Sequence, residues 1–467
     1  MVDGDAIASA VLEEFSKLPA KRKPSVRDNG LHEWVPMAGI VAKGPNGLKC
    51  VALATGMKCL PASKLPQANG VAIHDWHAEI LAIRAFNRFI LEECKRLALQ
   101  GDDGASQSDF IYRRITAQHE NQGQQGTAGV WQGQPFAWRE DVSLHMYCSE
   151  APCGDASMEL IMAAQDDASP WEVPSPTPGD LPAQAQAPTP ASADATDTPL
   201  PGRAYFSQLG IVRRKPSRGD APPSLSKSCS DKLALKQVTS LLSSLTSALV
   251  SPANAYLSSV ILPASQYSAV ACSRCFSSSS ADGGRMAPLL DTSVSAKLEG
   301  AGGYVFREFR VETTKMEFAF SRRAILPPNN NSSSTELTDM ADVIKDTKPK
   351  KLIASNLATS WTLNGPRDGE GLVGGVLQGR KQFDIRGASL VSRRKMWTLA
   401  REVCSMMALD DDDSEIKQVL GSTDLVYDEI KDGSSLLEGR RRAKEETKRV
   451  ALKGWVRNTG GGSFKLE

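Results

Sequence analysis

The residues best suited to chemistry are one histidine, one glutamate and two cysteines that lie far apart along the chain. His77-Ala78-Glu79 places a carboxylate two residues after an imidazole at the predicted start of a long helix, and Cys153 and Cys229 each precede a further helix-like segment. Zinc prefers imidazole and thiolate ligands, and a catalytic zinc site keeps its fourth position for water. We therefore predict that His77, Cys153 and Cys229 bind zinc, while Glu79 is not a ligand.

This ligand set favours the hydrolytic removal of an amine. Zinc lowers the pKa of a bound water, and the partial positive charge of a helix N-terminus favours the thiolate form of a cysteine. A glutamate beside the metal can take the proton of that water and pass it to a leaving amine, which is the arrangement of zinc deaminases. Glu79 is accordingly the predicted catalytic residue.

Each part of the pattern also has a less specific interpretation. An isolated His-x-Glu is more often solvated surface, and an isolated cysteine is more often a small core residue. The deaminase signature Pro-Cys-x-x-Cys is interrupted here, because Ala156 occupies the second cysteine position and the third ligand must come from far downstream. Cys272 and Cys275 form a rival Cys-x-x-Cys pair, which is a weak metal signal without a second pair or a histidine.

Composition limits the class of protein. The net charge of +1 over 467 residues gives no overall field that would draw the protein to nucleic acid or to a membrane, so any such attraction must come from local patches. Nine irregularly spaced cysteines favour thiols or metal ligands in a reducing compartment. The sequence has neither a long apolar run nor the features of a signal peptide at its start. We expect an intracellular protein of the nucleus or the cytoplasm without a membrane span.

Hydrophobic periodicity predicts the elements that must position these residues. Helices are expected over 6–17 and 77–97, after Cys153, and after Cys229 as far as Leu245. Strands are expected over 34–42, 48–54, 142–148 and 256–262 and within 306–320, and two basic helices over 389–407 and 435–453. Three segments poor in apolar residues, 101–138, 164–201 and 327–350, are predicted to be disordered or mobile insertions. The prediction is one α/β domain over 1–467, with a mixed sheet, zinc-binding helices and an additional C-terminal helical part.

The motifs resemble those of adenosine deaminases acting on RNA, and in particular the tRNA-specific branch of that family in fungi. They are Ala38-Gly39-Ile40-Val41, Thr55-Gly56-Met57-Lys58-Cys59, Asp75-Trp76-His77-Ala78-Glu79, Ala151-Pro152-Cys153-Gly154-Asp155, Lys215-Pro216-Ser217-Arg218-Gly219-Asp220, Ser228-Cys229-Ser230-Asp231-Lys232, Tyr256-Leu257-Ser258-Ser259 and Trp361. Apart from the insertions, the resemblance covers nearly the whole chain. It implies a cytidine-deaminase-like sheet and the hydrolysis of adenosine to inosine and ammonia at position 37 of alanine tRNA.

The resemblance also implies a fold built around a buried inositol hexakisphosphate. The ligands that it implies are Arg84, Lys232, Arg393, Tyr427, Lys431, Arg441 and Trp455, with Ser244 as a weaker candidate. Asp75 is expected to link the phosphate site to the zinc site through Lys232. The sequence departs from the family at Leu235-Lys236, where relatives carry Arg-Trp, so one expected phosphate contact is lost. From the residues alone, a solvated basic face or an RNA surface is the favoured interpretation of these helices, and only the resemblance reverses it.

Basic residues near predicted loops are the candidates for RNA contact. They are Lys58, Arg213, Arg214, Lys215 and Arg218, most of them in the cluster that precedes Cys229. Contacts between such residues and phosphate are sensitive to salt and carry no sequence information. The alternatives are a deaminase of another RNA or of a free nucleoside, and a non-catalytic zinc-containing RNA-binding protein. The intact Glu79 argues against a catalytically inactive site. No protein partner is indicated.

Overall fold

The computed structural model describes residues 3–100, 108–114, 131–164, 200–201, 208–215, 221–326, 351–407 and 415–466. The strands in these ranges are β1 His32–Trp34, β2 Met37–Gly44, β3 Gly47–Thr55, β4 Ile111–Arg113, β5 Phe136–Trp138, β6 Ser143–Cys148, β7 Leu200–Pro201, β8 Arg213–Arg214, β9 Val250–Ser251, β10 Leu257–Pro263, β11 Arg310–Thr314, β12 Leu352–Ala354, β13 Ala358–Thr362, β14 Glu370–Val373 and β15 Val376–Leu377. The α-helices are α1 Gly4–Ser16, α2 Ala78–Leu99, α3 Met158–Ala163, α4 Cys229–Thr239, α5 Ser244–Leu249, α6 Ala269–Phe276, α7 Thr292–Glu299, α8 Arg322–Ile325, α9 Arg393–Met406, α10 Glu415–Gly421, α11 Tyr427–Gly433 and α12 Glu438–Val450.

An eight-stranded mixed sheet forms the centre of the fold. Its strand order is β11-β10-β6-β2-β3-β13-β14-β15. The three strands at the β11 end run parallel to one another, and the remaining neighbours are antiparallel. Shorter pairings join β1 to β12, β4 to β5 to β9, and β7 to β8. The mixed α/β sheet predicted from the sequence is confirmed, whereas its likeness to cytidine deaminases stays a prediction.

The two faces of the sheet are covered by different helices. Side chains alternate between the faces of a strand, so Ile40 of β2 packs into the larger core while Val41 packs into a smaller one with Ile7, Val11 and Phe15 of α1. On the opposite face, α2 contacts β2, β3 and β13. The start of α2 is thereby held at the sheet, which fixes the position of His77 and Glu79.

The C-terminal part is helical, as predicted. Helix α9 packs on α2 and α10, and α12 packs on α4 and α7. Trp397 of α9 is fully buried, and its indole N–H donates to the Leu420 carbonyl at 3.1 Å. The basic helices therefore pack on α2 and α4, the helices that begin directly after His77 and at Cys229.

Two predictions about elements are wrong in their extent. Ile111–Arg113 and Phe136–Trp138 pair as strands inside the range predicted to be a mobile insertion, with Phe136 and Trp138 fully buried. Residues 101–107 and 115–130 of that range, nearly all of 164–201 and all of 327–350 lie outside the described residues. The helix after Cys229 ends at Thr239, because Ser240 adopts a φ of +55°, and α5 begins a new helix at Ser244.

Candidate active site

His77 is held in place by the carboxylate of Asp75. His77 is the N-cap of α2, and the Asp75 Oδ1 lies 3.1 Å from the His77 backbone nitrogen and 2.8 Å from its Nδ1. A carboxylate on one ring nitrogen orients the imidazole and leaves the other nitrogen for a metal. Gly56 allows this segment to approach the β3 loop, since a Cβ at Gly56 would lie 2.1 Å from the Trp76 carbonyl oxygen.

Cys153 and Cys229 lie side by side although 76 residues separate them in the sequence. The Cys229 backbone N–H donates to the Cys153 Sγ at 3.4 Å, and the Ser230 N–H donates to the Cys153 carbonyl at 3.1 Å. Gly154 makes the approach possible because it has a φ of +107°, and a Cβ there would lie 2.3 Å from the Ser228 Oγ. Ser228 caps α4 by accepting from the Asp231 N–H, so Cys229 begins the helix as predicted.

A fully buried lysine connects the cysteines to Asp75. The Lys215 Nζ lies 2.8 Å from the Asp75 Oδ2 and 3.2 Å from the Cys229 Sγ, and only 4% of its side chain is exposed. The ammonium of Lys232 and the hydroxyl of Ser226 also donate to the same Asp75 oxygen. Burial alone raises the pKa of Asp75, but Lys215, Lys232 and His77 together hold it well below its usual value.

The prediction that Lys215 contacts RNA is therefore wrong for this structure. Its ammonium is directed at a thiol and a carboxylate in the interior, and it is not available to a phosphate on the surface. Lys215 opens the motif Lys215-Pro216-Ser217-Arg218-Gly219-Asp220, but it also follows two arginines, and such a basic run is typical of a solvated surface. Only the pairing with Asp75 reveals its position.

The thiols and Glu79 have shifted pKa values. A hydrogen bond with Cys229 lowers the pKa of Cys153 well below its ordinary value, with Lys215 acting in the same direction, whereas burial raises the pKa of Cys229. Burial and the neighbouring Cys153 raise the pKa of Glu79. A carboxyl with a raised pKa is suited to both taking and giving a proton near neutral pH.

The donor set fits zinc by its chemistry. Two adjacent thiols and an imidazole oriented by a carboxylate are the ligand types of a catalytic zinc site. Within the described residues, however, no three His, Cys, Asp or Glu side chains lie close enough together to hold a metal ion. The contacts join Cys153 to Cys229 and His77 to Asp75, with Lys215 between the two pairs. The rival pair behaves as core thiols, because burial raises the pKa of Cys272 to about 11 and that of Cys275 well above its usual value.

A cavity lined by cations lies beside this site. It encloses about 890 Å³ of atom-free space, part of it open to solvent, between α2, α4, α9 and α12. The cationic side chains that line it are Arg84, Lys232, Lys236, Arg393, Arg440 and Lys444. Tyr427 and Trp455 line it as well, and the described lining residues include no aspartate or glutamate. Lys232 belongs to both places, since its ammonium donates to Asp75.

Comparison with known proteins identifies the family of this chain. A family model described as the adenosine-deaminase (editase) domain matches residues 52–459. The chain belongs to that family. It is accordingly an adenosine deaminase, a hydrolase that converts adenosine to inosine with release of ammonia. The predicted enzyme class is confirmed.

Several curated relatives belong to the same family. The chain is 31% identical over 466 residues to the tRNA-specific adenosine deaminase 1 of Schizosaccharomyces pombe, covering 99% of this chain and 96% of that one. It is 32% identical over 249 residues to the protein of the same name in Saccharomyces cerevisiae, covering 52% and 54%. The double-stranded RNA-specific editase Adar of Drosophila melanogaster is 24% identical over 267 residues, covering 56% and 33%. The resemblance to tRNA-specific deaminases drawn from the motifs is confirmed.

Positive charge is concentrated in the cavity of this deaminase. Burial and the neighbouring Lys448, Lys431 and Arg440 lower the pKa of Lys444 to about 7. Burial, with help from Arg440 and Lys444, lowers the pKa of Lys236 well below its usual value. Cations so close together destabilise one another unless an anion lies between them. The cavity is thus suited to a ligand with many negative charges.

The structure brings most of the predicted polyphosphate ligands to this cavity. Arg84, Lys232, Arg393, Tyr427 and Trp455 line it. Lys431 and Arg441 are not among the lining residues, and ligand contact by any of the seven stays a prediction. The Arg441 Nη1 donates to the Ser434 carbonyl at 2.7 Å and to the Lys431 carbonyl at 3.4 Å, so its guanidinium is turned toward the end of α11.

Sequence reasoning missed three cationic side chains of the cavity. They are Lys236, Arg440 and Lys444. Lys236 directly follows Leu235, the position at which an arginine was expected from the family. The lost positive charge is therefore replaced by the next residue of α4. The sequence feature that could have identified Arg440 and Lys444 is their spacing. They lie four residues apart and therefore on the same face of α12.

The remaining candidates for RNA contact have different outcomes. Arg213 is 1% exposed and its backbone N–H donates to Asp231, so its predicted role at an RNA surface is wrong for this structure. Arg214 is half-buried, and Arg218 lies outside the described residues. Lys58 is half-buried in the loop that pairs with the Asp75 segment, and its ammonium donates to Asn356. RNA contact by Lys58 and Arg214 stays a prediction.

Among the helices described, none combines the length with the apolar composition that crossing a bilayer requires.

Proposed function

We propose that this deaminase is zinc-dependent and acts on tRNA, at position 37 of alanine tRNA. The observation that carries the proposal is the clustering of Cys153, Cys229 and His77 near the buried carboxyl of Glu79, with the buried side chains of Lys215 and Asp75 behind them. Membership of the family supports adenosine as the substrate. The 31% identity to the tRNA-specific enzyme of fission yeast, over 99% of this chain, supports tRNA.

His77, Cys153 and Cys229 would hold the zinc ion. When bound, the ion would supply a nucleophilic water at neutral pH. Glu79 takes a proton from the attacking water and delivers it to the amine at C6 of adenine, which leaves as ammonia. The raised pKa of Glu79 suits both steps, because the same group must accept and then release the proton. Asp75 keeps the Nδ1 of His77 engaged and thereby orients the imidazole.

A target in the anticodon loop agrees with the burial of the site. Glu79 is 6% exposed and Cys229 is fully buried, so an adenine must leave its stack to reach them. Extruding an unpaired base from a loop costs less than extruding one from a duplex. An intracellular location in the nucleus or the cytoplasm is part of the proposal, in agreement with the nine free cysteines.

The cavity ligand that we propose is inositol hexakisphosphate. Of the six lysine and arginine side chains of the lining, only Lys232 has an anionic partner among the described residues, which is Asp75. His74 beside them has two buried ring nitrogens without a hydrogen-bond partner among the described residues. Arg84, Lys232, Lys236, Arg393, Arg440 and Lys444 would contact phosphate groups, while Tyr427 and Trp455 would complete the wall. A ligand there would fix Lys232 and, through Asp75, the orientation of His77.

One experiment tests metal, cavity ligand and substrate in the same preparation. Purified protein is analysed for zinc and phosphorus and then incubated with alanine tRNA, free adenosine or an unrelated structured RNA. We expect one zinc and one polyphosphate per chain, and inosine only in the tRNA. Turnover of free adenosine at a comparable rate would favour the nucleoside deaminase alternative, and stoichiometric zinc without any turnover would favour the non-catalytic one.

A further inference from the structure

Two fully buried aspartates lie at matching positions behind the two cysteines. Asp155 follows Cys153 by two residues, and Asp231 follows Cys229 by two residues. Both aspartates are 0% exposed. A buried carboxylate is unfavourable unless it is paired with a cation and hydrogen-bonded. The two loops that carry the cysteines therefore depend on the cations that meet these carboxylates.

Each aspartate is paired with its own arginine. The Arg274 Nε donates to the Asp155 Oδ2 at 2.8 Å, and its Nη2 donates to the Asp155 carbonyl at 3.3 Å. The Arg285 Nη1 donates to the Asp231 Oδ1 at 2.7 Å. The arginines are also tied to each other, because the Arg285 N–H donates to the Arg274 carbonyl at 3.1 Å. One segment, α6 with the loop after it, thus supplies the arginines that bind the aspartates of both cysteine loops.

The two aspartates also contribute to the hydrogen bonds that hold the backbone around the thiols. The Asp231 Oδ2 accepts from the Ser228 hydroxyl at 2.6 Å, and Ser228 is the cap residue directly before Cys229. Asp155 belongs to the turn after Cys153, in which the Ala156 N–H donates to the Ser230 Oγ at 3.1 Å. The separation of the two sulfur atoms is therefore set by two carboxylates whose positions depend on Arg274 and Arg285.

We propose that Arg274 and Arg285 are positioning residues that hold Cys153 and Cys229 at the separation that zinc requires. The proposal rests on the proposed zinc site. Metal–thiolate bonds tolerate deviations of only about 0.2 Å, so a small shift of one loop weakens the site. Neither arginine touches the thiols, and each acts through an aspartate. Loss of such outer partners typically weakens metal binding about 10- to 100-fold.

The test compares Arg274→Lys and Arg285→Lys with Arg386→Lys. Lysine keeps the positive charge but loses the fork of N–H donors. The side chain of Arg386 is 74% exposed in a surface pair with Asp384, which makes it a matched control. Zinc affinity is measured by competition with a chromophoric chelator, the thiolate absorption bands are recorded after cobalt substitution, and the unfolding midpoint is measured separately. We expect zinc affinity to fall about 10- to 100-fold in both test variants, with altered cobalt bands, and to be unchanged in the control.

The outcomes separate this proposal from a purely structural role. Unchanged zinc affinity and cobalt bands, together with a lower unfolding midpoint, would overturn it. If the lysine variants do not fold, Glu159→Gln is the substitute variant. Glu159 is the second carboxylate partner of Arg274, and its side chain is 30% exposed. We expect this variant to bind zinc more weakly than the wild type, but by a smaller factor than the lysine variants. Equal zinc affinity in that variant would also overturn the proposal. A wild-type protein that binds no zinc would instead refute the proposed metal site, and the positioning role with it.

Discussion

Replacing Lys215 by methionine removes a buried ammonium while nearly preserving the shape of the side chain. The ammonium lies 2.8 Å from the Asp75 Oδ2 and 3.2 Å from the Cys229 Sγ. Removing one partner of a buried ion pair can cost about 3–5 kcal/mol. Asp75 keeps Lys232 and Ser226, so the loss should be smaller. An outer partner of a metal ligand typically contributes about 10- to 100-fold in metal affinity or activity. That range corresponds to about 1.4–2.7 kcal/mol.

The assay is single-turnover formation of inosine in alanine tRNA, measured beside zinc affinity. Lys215→Met should lower the catalytic rate and zinc affinity while leaving the KM for tRNA almost unchanged, because the side chain is buried. Lys17→Met is the control, since that lysine is 66% exposed in a surface pair with Glu14. A variant with raised KM but normal rate and normal zinc affinity would mean that Lys215 contacts RNA. That result would refute the assignment of Lys215 to the zinc site.

The remaining predictions concern the acid–base group, the cavity and the RNA surface. Glu79→Gln should abolish turnover yet retain zinc, as measured by inosine formation and metal analysis, and normal turnover would exclude the proton-shuttle role. Protein without a bound polyphosphate should become more stable to unfolding as the pH rises from about 7 toward 10. The unfolded chain keeps the proton of Lys444 over that range, whereas the folded chain loses it near pH 7. Lys444→Met should reduce this pH dependence in denaturant titrations, and an unchanged slope would count against the charged cavity. Lys58→Ala should raise the KM for tRNA at constant zinc content and weaken the salt dependence of binding, whereas an unaltered salt dependence would remove Lys58 from the RNA surface.

Residues that act through local motifs were predictable from the sequence. His77, Cys153 and Cys229 are identified by their neighbours along the chain, and the amphipathic pattern of α2 places Glu79 in the first turn of that helix. Lys215 was misassigned because a lysine in a basic run looks solvated until its long-range partners are known. The 140 residues between Lys215 and Asp75 hide that pairing from any local pattern.

The omissions about the cavity and the wrong predictions about the fold also arise because packing between distant segments cannot be read from local sequence. The sequence identifies α12 as basic, but packing against α4 and α11 decides which of its cations face the cavity. Arg440 and Lys444 lie beside the buried stripe of Gly439, Ala443 and Thr447, whereas Arg441 is turned toward backbone carbonyls. Composition averaged over 101–138 likewise hid the short strands with buried Phe136 and Trp138, because that range is rich in glycine and glutamine.

The most direct test of the account is the sequencing of alanine tRNA after incubation with purified, zinc-containing protein, with Glu79→Gln as the parallel sample. Inosine is read as guanosine, so the product is located to a single nucleotide. The account predicts conversion of one adenosine, at position 37, by the wild type and none by the variant. Stoichiometric zinc in both samples and no inosine in either would contradict it.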